Sequence, residues 1–470
     1  MVAPRMLHAS TRLPPKARRL RWRAVVTGLA LLHFAAGISA SAQEAPANAP
    51  TDILIQNVRI FDGKAAALSA PSNVLIHGNI ITRISRDSIP APAAGQVIDG
   101  GGRTLMPGLI DAHWHAMLIR PTPEQAIFGD VGFNNILGAA EAQATLMRGF
   151  TTVRDVGGPV FGLKQAIDAG VAPGPRIFPS GAMITVTSGH GDFRQLSELP
   201  RSQGDLSRME ELGGSAVADS PDEVRLRTRE QLMQGASQIK MTAGGGVSSP
   251  FSPIDAVTFT EPELRAAVEA AGNWGTYVTV HAFTSAAIQL AISAGVKCIE
   301  HGFLMDDATA KLMAQKGIWL SAQPLPDELR QAFPEGSTQR TKADEVWPGI
   351  DRAYQLARKY HLKTAFGTDV LFSADLARMQ GAILASLVRW YSPAEVLAMA
   401  TGTNAELLEM SGKRDPYYPN HIGVVQEGAL ADLLLVDGDP LQNIKLVADP
   451  DKSFVIIMKD GKIYKNTLPH

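Results

Sequence analysis

The chain has 470 residues, enough for one large α/β domain and a smaller one. A formal net charge of -2 gives no electrostatic drive toward nucleic acid, and 45% hydrophobic with 19% charged residues excludes a disordered or fibrous chain. The single cysteine, Cys298, excludes an intrachain disulfide.

The first residues read as an export signal. Lys16, Arg18, Arg19, Arg21 and Arg23 form a basic region, Ala24 to Ile38 an apolar stretch, and Ala40-Ser41-Ala42 a small-x-small cleavage site. The apolar stretch is short for a bilayer span. Residues 1–42 are therefore expected to be a signal peptide and 43–51 a linker, leaving an exported, periplasmic or secreted protein with no membrane segment after cleavage. From Asp52 the pattern turns to short β runs. Ile53-Leu54-Ile55, Val58 to Phe61, Val74-Leu75-Ile76 and Ile80-Ile81 are separated by Asp62-Gly63 and Gly78-Asn79 turns. The far end mirrors this, with Ala431 to Val436, Phe454 to Met458 and the turn Lys459-Asp460-Gly461-Lys462. Residues 52–104 and 418–467 are expected to form one composite β-sandwich domain.

Between them, residues 105–417 alternate. Strand-length apolar runs precede His113 and recur at 151–154, 176–184, 237–241, 277–281, 296–301, 318–322 and 364–368. Helix starts lie between several of them: Ser220-Pro221-Asp222-Glu223, Thr260-Glu261-Pro262-Glu263 and Ser392-Pro393-Ala394-Glu395 each read as a capping box with an early proline. Buried strands alternating with helices predict a parallel sheet, and about eight such units predict an α/β fold of the (β/α)8 TIM-barrel type.

Barrel chemistry gathers at the C-terminal strand ends. There the chain places His113 and His115, Lys240, His281, His301 and Asp369. Residues i and i+2 of a strand share a face, so His113 and His115 point one way, as two ligands of one ion must. Four imidazoles and a carboxylate suit zinc, with cobalt and manganese as alternatives. Lys240 fits only as a modified residue. An ammonium has no lone pair, but a buried lysine beside cations is driven toward the neutral amine. That amine can add carbon dioxide, and the carbamate (N6-carboxylysine) has two oxygens for two metals.

Other residues are candidates for the substrate. His190, in Thr187-Ser188-Gly189-His190, is placed to meet a substrate carbonyl or oxyanion, with Ser188 beside it. Gly244-Gly245-Gly246 permits close backbone approach. Tyr277, Arg225 and Arg227 are candidates to grip a substrate carboxylate. Cys298, inside a strand run without an activating partner, reads as core rather than nucleophile.

Asp111-Ala112-His113-Trp114-His115, Ile239-Lys240, Val280-His281-Ala282, Glu300-His301-Gly302 and Gly367-Thr368-Asp369 together resemble the amidohydrolase superfamily. Pro107-Gly108-Leu109-Ile110-Asp111 and Gly428 to Leu433 match phrases common there. The resemblance runs from about Asp52 to Tyr464. It is strongest to the prolidase-like and carboxypeptidase-like branch that includes the ochratoxinases, and it is close to the bacterial ochratoxin A-hydrolysing members. It implies two divalent ions, most often zinc. His113, His115 and Asp369 would hold one and His281 and His301 the other, with carbamylated Lys240 and a hydroxide between. Asp369 would act as base and then acid. The implied reaction is hydrolysis of an N-acyl amino acid, a dipeptide such as Xaa-Pro, or an ochratoxin A-like amide. A cyclic-amide hydrolase or deaminase on the same scaffold, and a non-catalytic relative, are the alternatives. The implied partners are a small-molecule substrate and further copies of the chain in a homo-oligomer, an octamer by resemblance.

Overall fold

The computed structural model describes residues 52–201, 205–331 and 333–469; the expected signal peptide and linker lie outside them. Its strands, in chain order, begin with β1 (Asp52–Ile60), β2 (Ser72–His77), β3 (Ile80–Ser85), β4 (Gly95–Asp99) and β5 (Thr104–Pro107). There follow β6 (Leu109–Trp114), β7 (Phe150–Asp155), β8 (Arg176–Pro179), β9 (Met183–Thr185), β10 (Ser215–Val217) and β11 (Ile239–Thr242). The series ends with β12 (Val278–Thr284), β13 (Cys298–Leu304), β14 (Trp319–Ala322), β15 (Thr364–Phe366), β16 (Leu433–Val436), β17 (Phe454–Lys459) and β18 (Lys462–Asn466).

Strands from both ends of this region join in one eight-stranded sheet, ordered β18-β17-β16-β5-β1-β2-β3 with β4 also on β1. The β1–β2 pairing shifts register between Ile55 and Val58, and on the other edge β1 pairs with β4 up to Gln56 and with β5 from Arg59. The sheet closes on one core that includes Ile55, Val58, Val74, Ile76, Leu105, Leu435 and Met458. β2, and β1 from Asn57 onward, alternate with the period of two that strands carry, whereas Ile53, Leu54 and Ile55 are buried in succession. Arg176, at the start of β8, bonds Asp432 at 2.8 Å and Asp460 at 2.6 Å, tying this sheet to the parallel strands.

The parallel strands fall into a three-stranded sheet, β6-β7-β8, and a seven-stranded one, β10-β9-β11-β12-β13-β14-β15. The expected run 176–184 is therefore two strands, not one. Gly181 between them adopts φ +76°, and a Cβ there would meet Phe161 and Gln231. β10 follows no apolar signal long enough to read. The molecule is α/β, with near-continuous burial along each parallel strand. Ladder pairing does not run all the way round.

Side chains span the gap between β15 and β6. Asn404 donates from Nδ2 to Ile110 O and Phe366 O, both at 2.8 Å, and accepts the Phe366 N–H at 3.0 Å. Thr368 donates to Asp111, and Asp369 N–H to His113 O at 2.9 Å. The approach needs Gly367, where a Cβ would stand 2.6 Å from the His113 nitrogen. Two of the three expected capping boxes form, at Thr260 and Ser392. At Ser220 the hydroxyl caps Glu223 N–H, but the Glu223 carboxylate turns to Asp219 N–H, so the cap is one-way. Among the described residues no helix is long and apolar enough to cross a membrane.

Candidate metal centre

His113, His115 and Asp369 each offer one ligand atom within 4.8 Å of the others. Both Nε2 atoms stand 3.3 Å from Asp369 Oδ1. The far side of each ring meets an acceptor, and at His113 the Gln323 amide Nε2 also stands 3.1 Å from Nδ1. His113 Nδ1 faces Glu300 Oε2 at 2.7 Å, and His115 Nδ1 faces Gly157 O at 2.9 Å. The shorter contact to ionised Glu300 favours the proton on His113 Nδ1, and Gly157 O requires it on His115 Nδ1, which turns each Nε2 lone pair toward the carboxylate. Acceptors that face one another repel unless a cation lies among them. The donor set thus fits a divalent ion, and a proton is the other cation that can serve. Burial disfavours an imidazolium at His115, yet the hydrogen bond and charge of Asp369, helped by Asp155, lift its pKa above the usual range.

His301 joins from β13, its Nδ1 4.0 Å from Asp369 Oδ2 and 2.7 Å from Gln323 Oε1. Gln323 donates from Nε2 to Ser321 O at 2.9 Å, which fixes its oxygen toward His301. His301 Nδ1–H is thus the donor and Nε2 is left free. His281 lies beside it on β12, ring centroids 4.5 Å apart. Its Nε2 meets Gly245 O at 2.9 Å, so Nε2 carries the proton and Nδ1 keeps the lone pair. In each of the four imidazoles a backbone or side-chain oxygen thus favours one accepting nitrogen. His301 (φ +74°) and Asp369 (φ +52°) both sit in left-handed backbone, a strain that non-glycine residues seldom carry without a local reason.

Lys240 lies one residue into β11, 2% exposed, its backbone paired with Thr279 of β12. Burial lowers its pKa, against an opposing pull from the Glu300 and Asp369 charges. Among the described residues no carboxylate lies within ion-pair distance of its amine. Asp369 itself stays ionised: burial favours the acid, but where a proton is the cation among these groups, the charge of His113 and hydrogen bonds from His113 and His115 hold it well below the carboxylate range. His190 stacks on His281 at 4.1 Å. Burial, then the charge of Lys240, pushes His190 down to about 3. A Cβ on Gly246 would lie 2.0 Å from His190 Nδ1, so the stacking needs glycine there.

Residues 104–465 match the model of the amidohydrolase family. The chain belongs to that family. It is a hydrolytic enzyme acting on C–N bonds. Over 378 residues this amidohydrolase is 30% identical to the ochratoxinase of Aspergillus niger, covering 77% of this chain and 75% of the relative. A crystal structure of another amidohydrolase superposes with a TM-score of 0.82 at 36% identity, covering 89% of this chain and 100% of that one. A prolidase solved with N-methylphosphonate-L-proline gives 0.80 at 33%, with coverage of 89% and 100%.

Three residues expected to grip substrate are not at this centre of the amidohydrolase. Tyr277 precedes β12, at the opposite end from the mouth, where its hydroxyl accepts from Arg154 Nη1 at 3.1 Å. Arg225 and Arg227 lie on the helix Pro221–Gln234; Arg225 pairs with Asp222, and half-buried Arg227 pairs with Glu230 and lies 3.7 Å from Glu210. Both guanidiniums are taken up by neighbouring carboxylates of the chain, which the sequence spacing did not take into account. Ser188 donates to Phe251 O, fastening one loop to another. The strands β12 and β13 also run three residues beyond His281 and His301 rather than ending there.

Arg154 and Glu300 went unassigned in the sequence. Arg154 crosses from β7 and binds Glu300 Oε1 at 2.6 Å, Ser321 Oγ at 3.1 Å and Ala112 O at 2.6 Å. The other Glu300 oxygen holds His113. Burial raises the Glu300 pKa, but Arg154 and His113 outweigh it and keep the carboxylate ionised. An arginine inside an apolar strand run was the available signal: buried, it requires a buried carboxylate.

Proposed function

We propose that this amidohydrolase is a two-metal enzyme that hydrolyses the amide bond of an N-acyl amino acid or dipeptide, within parallel strands that curl into a (β/α)8 barrel. The observation that carries it is the cluster of His113, His115 and Asp369, with His301 4.0 Å from Asp369, His281 beside His301, and buried Lys240 near enough for its charge to act on both of those rings. His113, His115 and Asp369 would hold one ion, His281 and His301 the second, and carbamylated Lys240 would serve both. Two divalent cations at such a site supply Lewis acidity and a water that ionises near neutral pH. The chain's own residues do the rest. Asp369, ionised and beside both imidazoles, takes the proton of the attacking water and passes it to the departing amine. His190 stays neutral at working pH and offers its ring to the carbonyl oxygen as charge builds there. The similarity to an ochratoxinase and a prolidase supports a substrate whose leaving group is an amino acid with a free carboxylate.

The test joins metal analysis of pure protein to a product-identified screen. The panel holds N-acyl amino acids, Xaa-Pro dipeptides and ochratoxin A, with hydantoins and adenosine derivatives for the alternatives. Two equivalents of metal and release of a free amino acid are expected. Ring opening without a second product, or ammonia release, would replace the reading. Lys240→Ala should hold less metal and recover part of it with added acetate. Full metal content in that variant would remove the carbamate from the scheme.

A further inference from the structure

The loop between β11 and the helix Glu261–Asn273 touches the centre three times. Gly245 O takes the His281 Nε2 proton, Gly246 leaves room for the His190 ring, and Ser249 Oγ meets His190 Nδ1 at 3.3 Å while accepting Gly191 N–H at 2.8 Å. The loop has little apolar anchorage of its own between residues 244 and 249. Besides Ser188 on Phe251 O and its own bonds, Gly246 N–H to Ser252 Oγ and Gly245 N–H to Ala256 O, both at 3.2 Å, it is held by Lys342 on the helix Thr338–Val346. Lys342 is 9% exposed and has no carboxylate partner within 4.0 Å among the described residues. Its ammonium donates instead to Ser252 O at 2.6 Å and Ser249 O at 2.8 Å, with Gly246 O and Pro250 O both at 3.4 Å. Four carbonyls around one cation form a cage, which uses all three N–H donors of a lysine. Burying an ammonium is costly, and here only backbone dipoles repay it.

We propose that Lys342 is a positioning residue: by gathering the carbonyls of 246–252 it fixes the loop that orients His281 and His190, and so sets the affinity of the second metal position. The inference rests on the two-metal reading of the site.

Lys342→Met removes the cation and keeps the bulk. It is expected to retain one tightly held zinc while the second binds roughly 10- to 100-fold more weakly, the usual scale for groups that orient ligands. kcat should fall more than KM rises. In Lys342→Ala, added ethylammonium should re-enter the cage and restore part of the second-site affinity, measured by chelator competition. Lys342→Arg, which keeps the charge but cannot fit a planar fork to four carbonyls, should fall between, and it serves if the methionine variant does not fold. Glu345→Gln, an exposed change on the same helix, is the control. Wild-type affinity at both positions in the methionine or arginine variant would overturn the proposal, as would an alanine variant indifferent to the amine. If the wild type itself holds no metal, the two-metal reading fails on its own account. Amide exchange of residues 243–258 then still tests the clamp: faster exchange in Lys342→Met supports it, unchanged exchange overturns it.

Discussion

Asp369 is the residue on which the chemistry turns. Its Oδ1 faces two imidazole nitrogens at 3.3 Å, and its charge survives burial because those rings favour it. Asp369→Asn keeps the size and loses the proton-accepting charge. Turnover should drop by about 10²- to 10⁴-fold, measured as initial rate under saturating metal, with the melting temperature little changed. Gly246 offers a different probe. Any Cβ there lies within 2.6 Å of three His190 ring atoms, and the ring cannot give way without leaving His281. Gly246→Ala should therefore lower kcat while both metals still bind, a split read from paired kinetics and metal analysis. Equal loss of metal would place the effect in His281 instead.

Among the elements, β7 and β13 are joined across the interior by one ion pair, Arg154 with Glu300 at 2.6 Å, both fully buried. Arg154→Met leaves Glu300 without its buried countercharge, held by His113 and Thr279. That should cost about 3–5 kcal/mol, seen as a lower urea midpoint, and should weaken metal binding because the carboxylate that orients His113 is no longer fixed by Arg154. The pair also marks the limit of what the sequence could disclose. The ligand series was legible because each residue sits at or just past the end of an apolar run, and strand periodicity alone sets His113 and His115 on one side. The pairing of residues 154 and 300 was not legible, since it depends on which strands face each other across the interior. Tyr277 was misassigned for a related reason: it starts its strand, and residues at strand starts lie away from the mouth. The split at Gly181 and the short β10 depend on a left-handed turn and a three-residue ladder, neither of which leaves a periodic trace.

For the molecule as a whole, folding gathers imidazoles that burial keeps neutral, and this fixes how stability responds to acid. His281 and His301 lie well below the ordinary imidazole pKa through burial, and His190 lies near about 3 for the same reason, aided by Lys240. In the unfolded chain each takes up a proton near pH 6.5. Below that point the unfolded state holds more protons than the folded one, so acid favours unfolding. The contribution of these rings is complete above about pH 6.5 and is lost progressively as pH falls through their folded values. His115 works the other way, since its raised pKa makes the folded state the better proton acceptor, but it is one ring against three. Asp369 and Glu300, both depressed, add to the loss only below the ordinary carboxylate range. Metal-stripped protein should thus lose up to about 1.4 kcal/mol per pH unit for each unmatched proton on going from pH 7 to pH 5. Urea midpoints at pH 8, 7, 6 and 5 give the slope. A flat profile would mean that the three rings are protonated in the fold, and with it that their lone pairs are not waiting for a metal.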